Sequence, residues 1–363
     1  MDRRELLQLG AAAAATTAFA PKALAQTPGV PAGWKNSLNA YSRTMHWVRT
    51  PEEVAQVCHE IGNTTIDLTV RAASQGSAAG HVLPEKVKTD LAPFVNGLKR
   101  NGITVQMIGM DVVDVTTPYV EDMLDAASSL GIHHSWWRGI PFPADMSYPK
   151  QLDALRPKVD ALEKLYAKYQ FKACLHPGGD FTRILDLCRP HDPRYIAIQY
   201  DTGNFGEFNQ GNLANQIREG GPYIGGFVFK DSVIDHLTPE QQAAAAAARG
   251  AGRAAPAGAA PAGAGAAPAR GGRGGRAGGG GSPNGWSSRQ VQVGTGILNL
   301  PEICQALKDI DFKGPIENQP EWPELGGANT GQDKLTIPRA EVIRLLKQDY
   351  VTVSTPLAAA GVI

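Results

Sequence analysis

Residues 196–204 read IAIQYDTGN and residues 225–232 read GGFVFKDS. Each is an apolar or β-branched run of strand length that stops on charge: Asp201 after Ile196–Tyr200, Lys230 and Asp231 after Ile224–Phe229. Working outward, similar runs occur at 65–70, 104–108, 133–138, 172–176 and 315–319, and residues 34–38 supply a plausible first strand. Helical segments separate them. Thr50-Pro51-Glu52-Glu53 opens one, with Thr50 as N-cap, Pro in the first turn and early acids; Val54, Val57, Cys58 and Ile61 share a face and Gly62 closes it. Leu91–Arg100 ends at Asn101-Gly102, and Pro118–Leu130 ends at Gly131. Gln151–Tyr169 spaces Leu152, Leu155, Val159, Leu162 and Leu165 at helical intervals, and Leu300–Ile310 is a further helix. Repeated strand-then-helix order predicts a parallel sheet. Eight units predict a single α/β domain, a (β/α)₈ TIM barrel. An open doubly wound sheet is the alternative, weakened because no glycine-rich phosphate loop follows the early strands.

Two segments stand apart from that domain. Residues 1–25 combine Arg3-Arg4, a Leu/Ala run and Ala23-Leu24-Ala25, the pattern of an export signal of twin-arginine type, which predicts a periplasmic or otherwise exported protein. Residues 241–285 hold 18 Ala and 14 Gly among 45 positions and are expected to form a disordered insertion after strand seven. The barrel is then expected over 34–350, with 351–363 as a C-terminal tail. The whole chain is formally neutral, but the insertion has five Arg and no acid and the leader is net +1, so the remainder carries about −6. That balance argues against a nucleic-acid partner. No apolar run has the length of a membrane span. Cys58, Cys174, Cys188 and Cys304 have no C-x-x-C or zinc spacing and read as core cysteines.

In a parallel barrel, chemistry gathers where the strands end. The polar residues there are Asp67 and Arg71, Asp111 and Asp114, Arg138, His176 and Asp180, Asp201 and Asn204, Lys230 and Asp231, then Glu317, Gln319 and Glu321. So many groups of both signs suit a small carbohydrate substrate. Asp201 is placed to bind a divalent metal or act as a base, or else to cap a turn. His176, before Pro177-Gly178-Gly179, is aimed at the barrel mouth. Lys230 emerges from an apolar strand, suited to oxyanion stabilisation or an ion pair. Glu317 and Glu321 need a partner or a metal if buried. Arg138, Asn204, Trp137 and Asp231 are candidate substrate-binding groups, with Trp136 or Trp137 able to stack on a sugar face or pack in the core.

IAIQYDTGN, GGFVFKDS, VQVGTGILNLPEICQALKDIDFKGPIE and the early TPEEVAQVCHEIG…IDLTV together resemble the xylose isomerase-like TIM-barrel superfamily, the sugar phosphate isomerases/epimerases. The ending GPIENQPEWPELGG resembles an exported branch of it. The resemblance implies one divalent ion (Mn, Mg or Zn) held by Glu, Asp, His and Glu from strands five to eight, and a proton moved between neighbouring carbons. Carried over residue by residue, Asp201 matches the aspartate, His176 a histidine two residues past the strand-five glutamate, and Lys230-Asp231 a Lys-Asp pair. Cys174 stands at the glutamate's position and Val228 at the histidine's, and the last glutamate falls near Gln319, between Glu317 and Glu321. The implied metal set is thus Asp201, His176, Glu317 and Glu321, or the metal is absent and Lys230 supplies the charge.

The expected function is an exported isomerase or epimerase on a non-phosphorylated sugar or keto-sugar, with Lys230, Glu317 and His176 as catalytic residues. A carbohydrate-binding pseudoenzyme and a metal-free keto-sugar lyase are the alternatives. An endonuclease of the same superfamily conflicts with the acidic barrel.

Overall fold

Eight parallel strands close on themselves in a computed structural model of the chain. The order around the barrel, by residue, is 38–41, 316–318, 224–229, 196–201, 172–176, 134–138, 104–110 and 65–70. The structure describes residues 34–72, 80–110, 115–138, 142–143, 145–176, 180–209, 212–243, 286–322, 325, 335 and 337–363. The expected export signal, Asp111, Asp114 and all but three residues of the expected insertion lie outside them.

The strands are β1 (Leu38–Tyr41), β2 (Thr65–Val70), β3 (Thr104–Met110), β4 (His134–Arg138), β5 (Lys172–His176), β6 (Ile196–Asp201), β7 (Ile224–Phe229) and β10 (Ile316–Asn318). Closure is made by β1, which pairs with β2 on one side and β10 on the other, setting Leu38 opposite Ile316 and Tyr41 opposite Asp67. The first strand falls four residues later than the sequence suggests. Asn36 instead ties the chain across the barrel's end, donating to the carbonyls of Phe312 and Val362 at 2.7 and 3.0 Å.

Strand alternation sorts side chains into two shells. Leu68, Ile108, Trp137, Leu175, Ile198, Phe227 and Phe229 join the large cluster under the helices. Tyr41, Met107, Trp136, Cys174 and Ala197 form a separate, smaller cluster inside the barrel. All four cysteines are free and buried. The expected helix start at Thr50 is present as a full capping box: Thr50 Oγ1 accepts from the Glu53 N–H at 3.2 Å, and Glu53 accepts from the Thr50 N–H at 3.0 Å.

Two features differ from the sequence reading. Residues 351–360, expected in a tail, are the second half of a helix, Arg339–Ala360, whose Val353 and Leu357 are fully buried on the barrel. Directly after Lys230, β8 (Asp231–His236) pairs antiparallel with β9 (Trp286–Val291), from Asp231 opposite Val291 to His236 opposite Trp286. The low-complexity stretch therefore leaves and rejoins the barrel at adjacent points of one two-stranded ribbon. Among the described residues, no helix is long and apolar enough to cross a membrane.

Candidate active site

Asp201 is the hub of the C-terminal mouth. It ends β6, is fully buried, and its two oxygens take every donor around them. Oδ1 accepts from the N–H groups of Gly203 and Asn204 at 2.9 and 3.1 Å. Oδ2 accepts from Asn204 Nδ2 at 3.0 Å and His176 Nε2 at 2.9 Å, and lies 3.0 Å from Lys230 Nζ. Burial pushes this carboxyl up, but the Lys230 ammonium and the His176 ring outweigh it and hold the group well below the usual carboxylate range. Asp201 is thus a permanent anion and an anchor, not a proton acceptor.

Lys230 is fixed along its length. Its N–H donates to Thr202 Oγ1 at 2.9 Å, and that hydroxyl donates back to the Lys230 carbonyl at 2.7 Å. A Cβ on Gly203 would sit 2.8 Å from the lysine's own Cβ, so only glycine lets the β6 turn pass this close. The ammonium also pairs with Glu321 Oε2 at 3.2 Å, and Gln290 Nε2 of β9 donates to the same oxygen at 3.1 Å. Burial alone would lower the lysine; Asp201 and Glu321 overcome it and hold it well above the ordinary lysine value.

The His176 side chain is 20% exposed, the most accessible of the titratable groups that meet at Asp201 and Lys230. Because ionised Asp201 can only accept, Nε2 carries the hydrogen in the neutral ring and Nδ1 is left as the accepting nitrogen. The ring leans on Trp136, with centroids 5.5 Å apart. Trp136 in turn donates to Asp67 Oδ2 at 2.8 Å.

Beneath this layer, Glu317 and Asp67 are both buried and near enough for each to shift the other's proton equilibrium, and Asp67 Oδ1 and Glu317 Oε2 meet no donor among the described residues. Gln319 Nε2 donates to Glu317 Oε1 at 3.1 Å. Burial, then the Asp67 charge, pushes Glu317 well above the carboxylate range, and burial raises Asp67 as well. Burial of two neighbouring carboxyls favours the protonated form of each.

The structure brings together His176, Asn204, Asp201, Lys230 and Glu321, with Glu317 below them. It places others elsewhere. Trp137, expected at the substrate, is fully buried on the outer face, where Nε1 donates to Tyr166 Oη; its neighbour Trp136 is the inward indole. Asp231 accepts from the N–H groups of Ser232, Gly294, Gly296 and Leu298, so it organises the return from the ribbon and has no lone pair aimed at the mouth. Asp180 caps a helix by accepting from the Thr182 N–H. Asp67 lies mid-strand inside the barrel, not at a strand end. Arg138 ends β4 opposite His176; its side chain is not among those described. Thr202 and Gln290 went unnoticed in the sequence: Thr202 stands behind the more conspicuous Asp201, and Gln290 lies on a strand whose partner is remote in the chain.

The donors do not fit a divalent ion. Asp201 Oδ2 is filled by an ammonium, an imidazole N–H and an amide. Cys174 and Val228 are fully buried at two expected ligand positions, and burial pushes the Cys174 thiol up to about 12. Among the described residues, no three His, Cys, Asp or Glu side chains are grouped to hold a metal ion.

A closed parallel barrel with its polar residues converging at the strand C-termini defines the class of (β/α)₈ barrel proteins. Within it, residues 55–337 match the family model described as xylose isomerase-like TIM barrel, and the chain belongs to that family. Solved structures share the fold at low identity. A D-psicose 3-epimerase from Clostridium cellulolyticum H10, solved with D-tagatose, is 12% identical with a TM-score of 0.54, covering 89% of this chain and 99% of its own. A xylose isomerase-like TIM barrel protein from Mycobacterium smegmatis, solved in complex with magnesium, is 14% identical with a TM-score of 0.55, covering 90% and 97%. A xylose isomerase domain protein from Alicyclobacillus acidocaldarius is 10% identical with a TM-score of 0.56, covering 90% and 99%. No curated protein matches the chain in sequence.

Proposed function

We propose that this protein is an exported sugar-modifying enzyme that moves a proton next to a carbonyl on a non-phosphorylated sugar or keto-sugar, as an isomerase or epimerase does. The observation that carries the reading is the sharing of Asp201 Oδ2 between His176 Nε2 and Lys230 Nζ, 2.9 and 3.0 Å away. One carboxylate oxygen thereby sets a base and a fixed cation side by side.

With the substrate carbonyl against Lys230, His176 Nδ1 takes the proton from the neighbouring carbon. The C–H pair becomes the C=C bond of an enediolate, and the carbonyl pair becomes an oxyanion facing the ammonium. Asp201 stabilises the imidazolium that forms. Return of the proton to the former carbonyl carbon, with the neighbouring hydroxyl proton passing to the former carbonyl oxygen, isomerises the sugar; a proton delivered to the opposite face of the first carbon by a second donor, while His176 keeps the one it took, epimerises it. Glu317 lies one layer down, where burial and the Asp67 charge favour its protonated form and make it a poorer base than His176.

A neutral substrate agrees with the charges, because Lys230 is already balanced by Asp201 and Glu321 and offers no surplus to a phosphate. Export rests on residues 1–25, and a sugar outside the cytoplasm is commonly unphosphorylated. A metal-free lyase begins with the same abstraction, and product analysis separates the two.

Solvent deuterium exchange into a panel of keto-sugars tests the proposal. Wild-type protein is expected to exchange the proton next to the carbonyl. His176→Ala and Lys230→Met should each reduce the rate at least about 100-fold, the usual scale for a general base or an oxyanion donor. Sugar binding without exchange on any substrate would make the chain a carbohydrate-binding protein.

A further inference from the structure

We infer that Lys230 is the resident cation of this site, and that the protein needs no divalent metal ion there to fold or to work. This inference does not depend on the reaction proposed above.

The ammonium bridges the two carboxylates that a metal ion at the mouth would recruit, 3.0 Å from Asp201 Oδ2 and 3.2 Å from Glu321 Oε2. A divalent ion draws oxygen ligands to about 2.0–2.6 Å and would have to share this space with a like charge. The lysine cannot swing aside cheaply. Its backbone is locked to Thr202 through both N–H and carbonyl, and Gly203 is packed against its stem. The carboxylate oxygens that face this space are also engaged: Asp201 Oδ2 accepts from His176 Nε2 and Asn204 Nδ2, and Glu321 Oε2 accepts from Gln290 Nε2. At Cys174 and Val228 the barrel wall is fully buried and gives no anionic ligand. A carboxylate pair holding one lysine is satisfied as an ion pair without any metal.

Calorimetric titration of the full chain with Mn²⁺ and Zn²⁺, together with metal analysis of the purified protein, reads this directly. The expected result is well under one equivalent of metal and a Tm that neither EDTA nor Mn²⁺ shifts. Lys230→Met, which strands two buried carboxylates, should lower Tm. Lys230→Arg should recover part of that loss, and the loss should shrink when Asp201→Asn and Glu321→Gln accompany it. Close to one equivalent of metal in the wild type, abolished by Asp201→Asn, would overturn the inference. So would equal Tm values for Lys230→Met and Lys230→Arg. If Lys230→Met does not fold, the wild-type titration decides alone, and it does so whether or not any sugar exchanges deuterium.

Discussion

Asp201 and Asp231 are both acidic residues on the heels of apolar strands, yet they do different work. Asp201 collects an imidazole, an ammonium and an amide at the mouth. Asp231 collects four backbone N–H groups and is 2% exposed. Removing those acceptors leaves buried donors unmet, each at about 1–3 kcal/mol. Asp231→Ala should therefore lower Tm by several degrees in a thermal melt, and Asp231→Asn, which keeps one carbonyl oxygen, should fall between. His176, Asp201 and Lys230 each close an apolar run in the sequence, and the structure brings their side chains within hydrogen-bonding distance of one another through Asp201. Sequence alone cannot separate Trp136 from Trp137: neighbours on a strand face opposite ways, and only the register with β3 and β5 says which way each points.

At the scale of elements, strands and capped helices were legible from periodicity, and the two missed features lacked it. Residues 351–360 carry Val351, Thr352, Val353 and Pro356, poor helix formers, and the segment is held on the barrel by its buried Val353 and Leu357. The β8–β9 ribbon pairs segments separated by the low-complexity stretch, so no local signal joins them. The long C-terminal helix also buries Asp349, which accepts from Trp322 Nε1 at 2.7 Å. Burial pushes this carboxyl up to about 7. A raised acid favours the folded state fully below the ordinary aspartate range, and that contribution is lost as pH climbs toward 7. Stability should therefore decline by about 2–4 kcal/mol between pH 4 and pH 8 from this group. Asp349→Asn keeps an acceptor for Trp322 and should flatten the decline, raising Tm at pH 8 and changing it little at pH 4.

For the whole molecule, the barrel has an apolar shell under its helices and a mixed interior, where Asp67 and Glu317 are buried along with Met107, Trp136 and Cys174, and the ribbon directly follows the site residue Lys230. Because His236 and Trp286 already face each other, joining them through an Asn-Gly turn in place of residues 237–285 is expected to preserve the barrel, with Tm within a few degrees of the full chain. A collapse of the melt on such a deletion would show that the segment contributes to the fold. The ribbon also reaches the charge centre, since Gln290 on β9 holds the Glu321 oxygen that faces Lys230. The ribbon that carries the low-complexity stretch thus begins one residue past the fixed cation. A slip in the ribbon's register would carry Gln290 away from the carboxylate beside the ammonium.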